Sequence, residues 1–531
     1  MPGHRGTDEA RQLSRRQLLR TAGGGAALLA AGALTGCGTA AIPGAQAAPG
    51  AGGSKGGRLR VGIVGGSAKD TLDAHAPVTH PDEARAINLY DTLLEFDHDY
   101  RIQPALAESV ESNQEATQWT IRLRQGLEFS NGKTVTAADV AATLRRIADP
   151  KDPKAGAAGL APLDLHRMPR LDERTLRLHL KYPDATIADQ LAQYSNGIVP
   201  EDYDPRRPAG AGAFRVRSFQ PGLQSVFRAN PNYWRTGQPQ LGELVLIDFP
   251  DDTARVNALL GGQVDAIDQL PVALIKVIHA DPSLSVLESE TGAWLPFTMR
   301  VDTPPFDDER VRQALRLVVD REQMINQVLS GHGRIANDLY SPFDPCYAKD
   351  VPQRRQDIDR ARSLLRQAGK EDLSVDLVTS PVAAGLVEAA QVFARQASSA
   401  GVQVNVHKVD PGEFYGDKYL KWPFAQDFWF TRNFLPQASS GSMPDAPYNE
   451  THWANKDFIS LVKQAKGTVD EKKRCELIQS AQKIEYDSGG YIIWGFTNQV
   501  DAYNVRVHGL RRDRSGIPLS GYKFREVSFG S

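Results

Sequence analysis

The sequence predicts an α/β protein of more than one lobe. Segments in which apolar residues alternate are interleaved with capped, amphipathic helical segments along most of the chain. About 475 residues follow a glycine- and alanine-rich N-terminal region, and that is more than one hydrophobic core usually serves. No internal repeat is present, which sets aside solenoids and propellers.

The N-terminal region divides at Cys37. Arg5, Arg11, Arg15, Arg16 and Arg20 stand against only Asp8 and Glu9, and they precede sixteen uncharged residues, 21–36, five of them glycine. A spanning helix needs about 20 strongly apolar residues, so this segment is too short and too weakly hydrophobic for one. SRRQLL (14–19) resembles the twin-arginine export motif, and LTGC (34–37) resembles the bacterial lipobox, after which the cysteine is acylated. The expectation is an export signal over 1–36 and a lipidated Cys37 as first residue of the mature chain. Each buried methylene of its acyl chains then contributes about 0.8 kcal/mol to membrane attachment. Residues 37–57, mostly Gly, Ala and Pro, read as a flexible linker. Gly52, Ser54 and Gly56 match the G-x-S-x-G pattern of serine hydrolases, but no strand precedes them and no helix follows, so the match is coincidental.

The folded part starts near Arg58, where Leu59, Val61 and Ile63 alternate as a strand. A loop with Pro77 and Pro81 leads to a helix over 82–94. Trp119, Ile121 and Leu123 share one face of a strand, Asn131-Gly132 is a turn, and a helix follows with Thr136 as its cap and Asp139 closing a capping box. Leu176, Leu178 and Leu180 mark a further strand, and Phe214, Val216 and Phe219 another, before a turn at Pro221-Gly222. Helices are expected over 252–261 and 307–330. The second opens after Pro304-Pro305 with Asp307, Asp308 and Glu309 at its positive end and stops at Gly331.

Charge and cysteine usage narrow the function. The chain has 62 basic and 64 acidic residues, and removing residues 1–36 leaves a net charge of about −5, which argues against nucleic acid as a partner. Cys346 lies in a proline-rich loop and Cys475 in a charged helix. They are either a disulfide formed in an oxidising exterior or two separate thiols, and the sequence alone leaves both open.

Four long segments carry a family resemblance: LYDTLLEFDHDYRIQPALAES (89–109), WTIRLRQGLEFSNGKTVTAADV (119–140), GAGAFRVRSFQPGLQSVFRANPNYW (210–234) and PPFDDERVRQALRLVVDREQMINQVLSGHG (304–333). In order and spacing they resemble the bacterial extracellular solute-binding proteins of the peptide and nickel ABC-importer family, family 5. The resemblance implies a two-lobed, periplasmic-binding-protein-like fold of the Venus-flytrap type. Lobe I would span 58–296, with an inserted subdomain at about 83–205, lobe II 297–492, and 493–531 would return to lobe I. It also implies a monomer without cofactor or catalytic group, which encloses a peptide or other small polar solute, docks on an ABC permease, and acts outside the cytoplasm. Most motif residues read as backbone-shaping. Gly126, Asn131, Gly132 and Thr136 form a turn and a cap, and Arg310 and Arg312 are expected to pair with nearby acids at a partly exposed surface, for about 0.5 kcal/mol each.

A solute clamp needs aromatic walls and a few convergent polar groups. Residues 421–453 are dense in aromatics, with Trp422, Phe424, Phe428, Trp429, Phe430 and Phe434 within thirteen positions. Arg432 and Asn433 interrupt that apolar run where a strand should leave the core. Peptide-binding relatives carry here an acid that receives the peptide's amino terminus, whereas this sequence reads FTRNFLPQAS and has no carboxylate. Arg300, in LPFTMRVDTPPF, is either a second anion ligand near a hinge or a partner of Asp302 or Asp307. Hinge crossings are expected at 297–301 and 492–497, with Trp294 and Trp494 lining the cleft. The candidate ligand-binding set is therefore Trp294, Arg300, Trp429, Phe430, Arg432, Asn433 and Trp494.

Two rivals are weaker. The family includes nickel-uptake proteins, yet none of the eleven histidines forms H-x-x-x-H, and His75 and His80 lie five apart without a nearby cysteine. Capture of a metal already held by a small chelator stays open. A secreted hydrolase lacks support, because neither H-E-x-x-H nor a P-loop is present.

Overall fold

A computed structural model describes residues 56–530. The expected export signal, Cys37 and all but the end of the linker lie outside the described residues. The structure is a mixed α/β fold built on two large sheets and one smaller one.

The first large sheet has eight strands drawn from both ends of the chain. Arg58–Val64 runs parallel to Glu243–Phe249 on one side and to Ala266–Ile267 on the other. Gln224–Ala229 and Phe214–Gln220 extend it antiparallel. The near-C-terminal strand Gly495–Asn504 pairs antiparallel with Ala266–Ile267, Leu284–Trp294 and Gly333–Ile335. Its central strands are buried on both faces, so Leu59, Val61, Ile63, Leu244 and Leu246 reach solvent with none of their surface. The spacing of Phe214, Val216 and Phe219 breaks the two-residue period, and the strand carries a register shift there, between Val216 and Ser218. One extra residue restores Phe219 to the face that packs on the core.

The second large sheet has five strands in the order Gln403–Lys408, Ser374–Thr379, Phe424–Gln426, Phe297–Met299 and Tyr491–Ile492. Helices Glu309–Leu317, Arg321–Val328, Ile358–Gln367 and Leu386–Ser398 supply apolar faces to its core. The smaller sheet joins Ala107–Ser112, Gln118–Leu123 and Thr175–His179. It packs with helix Ala137–Ile147 around Trp119, Ile121, Leu123, Val140 and Leu144. The cap of that helix is as read from the sequence, with Asp139 accepting from the Thr136 backbone N–H at 2.9 Å and from its hydroxyl at 2.7 Å.

The chain passes between the two large sheets twice, side by side. Leu284–Trp294 continues through Leu295 and Pro296 into Phe297–Met299, and Tyr491–Ile492 continues through Ile493 and Trp494 into Gly495–Asn504. Trp294 pairs with Phe496 in the first sheet and Phe297 with Ile492 in the second.

Three details differ from the sequence reading. The helix expected over 82–94 is His80–Leu89, and Leu94 already belongs to the hairpin strand Leu94–Phe96. The helix expected over 307–330 is two helices, because Asp320 accepts from the Gln323 N–H and so caps a new start. Arg310 does pair with Asp308, but Arg312 is buried and meets no acid. It donates to the carbonyls of Phe306, Ser488 and Gly489, while its neighbour Arg316 donates to those of Tyr486, Asp487, Gly489 and Tyr491. These two cations satisfy the open carbonyl end of helix Glu471–Ser488.

Cys346 and Cys475 form a disulfide across 129 positions, which resolves the pairing left open by the sequence. Closing so long a loop restricts the unfolded chain, so replacing both cysteines with serine is expected to cost about 2–4 kcal/mol in urea unfolding. A second prediction concerns His98, whose ring lies 2.8 Å from Asp513 and 2.9 Å from Glu526. Those hydrogen bonds, the one to Asp513 foremost, push its pKa up to about 9. A folded-state value above the usual 6.5 gives stability that is full below 6.5 and lost as pH rises through about 9. His98→Asn should therefore lower Tm at pH 6 and change it little at pH 10.

Candidate functional site

The site is built on residues 429–433, which leave the second large sheet after Phe424–Gln426. Trp429 and Trp294 exchange both backbone hydrogen bonds at 3.0 Å, which seats the segment against the first of the two crossings. Thr431 fixes it further. Its hydroxyl accepts from the Gly292 N–H at 2.8 Å and donates to the Arg514 carbonyl at 2.7 Å, and its own carbonyl accepts from the Tyr100 hydroxyl at 2.9 Å. Helix Phe434–Gly441 begins immediately after, with the Phe434 N–H on the Asp344 carboxylate at 2.7 Å. Residues 432 and 433 therefore project from a backbone held on both sides.

A ladder of rings supports Trp429 from behind. Trp429 stacks on Trp294 at 5.9 Å, Trp294 on Tyr340 at 5.6 Å, and Tyr340 on Phe434 at 5.4 Å, all within 18° of parallel. Each such contact contributes about 0.5–1.5 kcal/mol beyond the area it buries. The Arg432 guanidinium lies over the other end of the ladder, 5.4 Å from the Trp429 ring centre.

The facing wall comes from the subdomain that carries the small sheet. Asn433 Nδ2 donates to Asp189 Oδ1 at 2.7 Å, and Asp189 lies on helix Ile187–Leu191. Nearby, Lys466 pairs with Asp184 at 3.0 Å, and the Lys466 carbonyl accepts from the Ala185 N–H. Burial pushes the Asp189 carboxyl up to about 7, against the lowering effect of the Asn433 hydrogen bond. Tyr100, Tyr194 and Tyr448 lie close enough to act on the charge of Arg432, which makes no hydrogen bond or ion pair among the described residues. Burial lowers the pKa of its guanidinium, although the side chain stays partly open to solvent. Asn433 Oδ1 is buried without a hydrogen-bond partner, and the Trp429 indole N–H lies toward the buried Glu450.

Two acids sit on the far side of this segment. Asp427 accepts from the hydroxyls of Tyr415 at 2.8 Å and Tyr419 at 3.2 Å, beside the buried Glu450. Burial first, and then the neighbouring Asp427, push the Glu450 carboxyl well up.

Four of the seven sequence candidates meet in one place: Trp294, Trp429, Arg432 and Asn433. Phe430 is next to them, half exposed and edge-on to Phe428 at 5.5 Å. Arg300 lies apart, with its donors taken by both Asp302 oxygens and the Lys421 carbonyl. Trp494 also lies apart, with no exposed surface, in the core of the second large sheet beside Leu295, Phe297 and Ile325. Tyr100, Asp189, Tyr194 and Tyr448 were not singled out in the sequence. Only Tyr448 carried a signal, as part of the aromatic-rich stretch, whereas Asp189 meets Asn433 across 244 positions. A hollow of about 320 Å³ bounded by Arg58, Arg217 and Glu243 lies at the opposite end of the first sheet. Its ions pair with one another.

The electrostatics of Asp189 give a third prediction. Its folded-state pKa exceeds the usual carboxylate value, so the neutral form favours the native arrangement, and stability should fall as pH rises through about 7. Thermal unfolding of the protein and of Asp189→Asn between pH 5 and 8.5 checks this, with the variant expected to lose less stability at the alkaline end.

The description of bacterial extracellular solute-binding proteins, family 5, middle part, matches residues 101–448. Di/tripeptide-binding protein 2 of Pseudomonas aeruginosa (strain UCBPP-PA14) is 26% identical over 484 residues, covering 84% of this chain and 90% of its own. The ABC transporter substrate binding protein CtaP from Listeria monocytogenes superposes with a TM-score of 0.80 at 19% identity, over 90% of this chain and 100% of that one. The binding protein AgaA from A. tumefacien R10, in complex with agropinic acid, superposes with a TM-score of 0.75 at 24% identity, over 90% and 99%.

Proposed function

The chain belongs to the bacterial extracellular solute-binding proteins of family 5, and from that premise we propose where and how it holds its solute. Like its family, it is the substrate-binding component of an ABC importer: it takes a peptide-like or other small polar molecule outside the cytoplasm and delivers it to a membrane permease. The solute site of this reading is the space between the 429–433 segment, with Tyr448, and the wall carrying Tyr100, Asp189 and Tyr194. The observation that carries it is the convergence of an unpaired guanidinium and aromatic walls beside the two chain crossings.

Lobe I, 58–296 with 493–531, and lobe II, 297–492, then swing about the crossings at 295–296 and 493–494. Contacts such as Asn433 to Asp189 and Lys466 to Asp184 join facing walls, and a solute touching both walls shifts the population toward the closed form. The closed form is the one the permease receives. On the same reading the mature protein is a monomer, exported by the twin-arginine route and tethered through acyl chains on Cys37, the export and tether being supported by the SRRQLL and LTGC motifs and the linker composition.

Two measurements test this. Native mass spectrometry of protein purified from its own host should show one small molecule retained one-to-one, and small-angle scattering should show a smaller radius of gyration with that molecule than after its removal. An unchanged radius at saturation sinks the clamp. Cell fractionation should find the protein with the membrane and Cys37→Ser released from it.

A further inference from the structure

We infer that Arg432 is the receptor for a carboxylate on the solute, so that this protein selects small organic acids; the inference rests on the site proposed above. The guanidinium is the one charged group at the centre of that site whose donors are unclaimed among the described residues. Its neighbours are rings and phenols: Trp429 beneath it, and Tyr100, Tyr194 and Tyr448 close enough to act on its charge. A cation partly removed from water and left unpaired costs several kcal/mol unless an anion completes it. Other arginines of the fold show what happens where completion is internal. Arg300 closes on Asp302, Arg321 and Arg354 on Asp338, and Arg85 on Asp70, Asp82 and Asp248. Arg432 has no such acid.

The nearest carboxyl on the facing wall does not serve. Asp189 Oδ1 is taken by Asn433 Nδ2, and burial favours the neutral acid. Asp427 and Glu450 lie behind Trp429, tied to Tyr415 and Tyr419. A solute ammonium would thus meet a guanidinium and no free carboxylate at this point. An incoming carboxylate meets a planar fork that matches its two oxygens.

Geometry also favours carboxylate over phosphate. One guanidinium neutralises a single negative charge and offers two parallel donors, which suits a monoanion. A phosphate of nearly two charges needs further cations, and the groups that act on the charge of Arg432 are tyrosines. Asn433 Oδ1, buried and unpaired, supplies one acceptor for the rest of the solute. The ring stack beneath holds the fork in place, so little rotamer freedom is lost on binding.

The test uses the full-length mature protein, freed of retained solute, with thermal shift and calorimetry. The probes are glutamate, N-acetylglutamate, pyroglutamate, gluconate and alanyl-alanine, each beside its carboxamide, together with glucose 6-phosphate, inorganic phosphate and mixed small molecules extracted from the host. At least one carboxylate, from the panel or the extract, should bind one-to-one, with its amide weaker by about 30-fold or more. Arg432→Gln should lose that binding by a similar factor without lowering the urea midpoint of the unliganded protein, and Arg432→Lys should retain part of it. The inference is overturned if the amide binds as well as the acid, if Arg432→Gln binds unchanged, if phosphates are preferred, or if no carboxylate binds. Binding of neutral or cationic solutes alone overturns only this inference. If nothing in the extract binds or compacts the protein, the solute-binding site proposed above falls with it.

Discussion

The backbone bridge between Trp294 and Trp429 is the contact on which the rest of the site depends. It joins a strand of the first large sheet, at the point where the chain crosses over, to the segment that leaves the second. Two hydrogen bonds at 3.0 Å would contribute modestly alone, but the stacked indoles cover them and the ladder continues through Tyr340 to Phe434. Because Trp429 is fixed to the crossing, the position of Arg432 is tied to the same place about which the lobes are proposed to move.

Around that contact the molecule handles buried charge in two ways. Most buried arginines find acids or carbonyls within the protein. Arg312 and Arg316 close the carbonyl end of helix Glu471–Ser488, and Arg255 pairs with Asp268 beneath the first sheet. At the site the pattern changes: the cation is unpaired, burial disfavours the charge on Asp189 and Glu450, and phenols hold Asp427. Buried polar groups left incomplete cost stability, and a binding site recovers that cost when the solute arrives. The disulfide between Cys346 and Cys475 lies one element away, tying the loop that carries Asp344 to helix Glu471–Ser488, and Asp344 in turn holds the start of helix Phe434–Gly441. Covalent and hydrogen-bonded links thus run continuously to the residue after Asn433.

The family relationship frames these observations without fixing the solute. Relatives of similar fold include di/tripeptide-binding protein 2 and the agropinic acid complex of AgaA, so the scaffold accommodates chemically different cargo. In the site proposed above, the side chains are an arginine and a set of aromatic rings.

The sequence by itself determined the alternating strands, the capping box at Thr136 and Asp139, the family, and the aromatic stretch containing Trp429, Arg432 and Asn433. Those features are legible because they depend on local periods and on residues a few positions apart. Tertiary structure alone decided that Cys346 reaches Cys475, that Asn433 meets Asp189, that Arg312 caps a helix from a distant segment, and that Trp494 is core while Trp294 supports the site. It also decided that Arg300 is spent on Asp302 whereas Arg432 is not. The two arginines look alike in one dimension, because whether a cation finds its counter-charge depends on which distant elements the folding chain brings beside it.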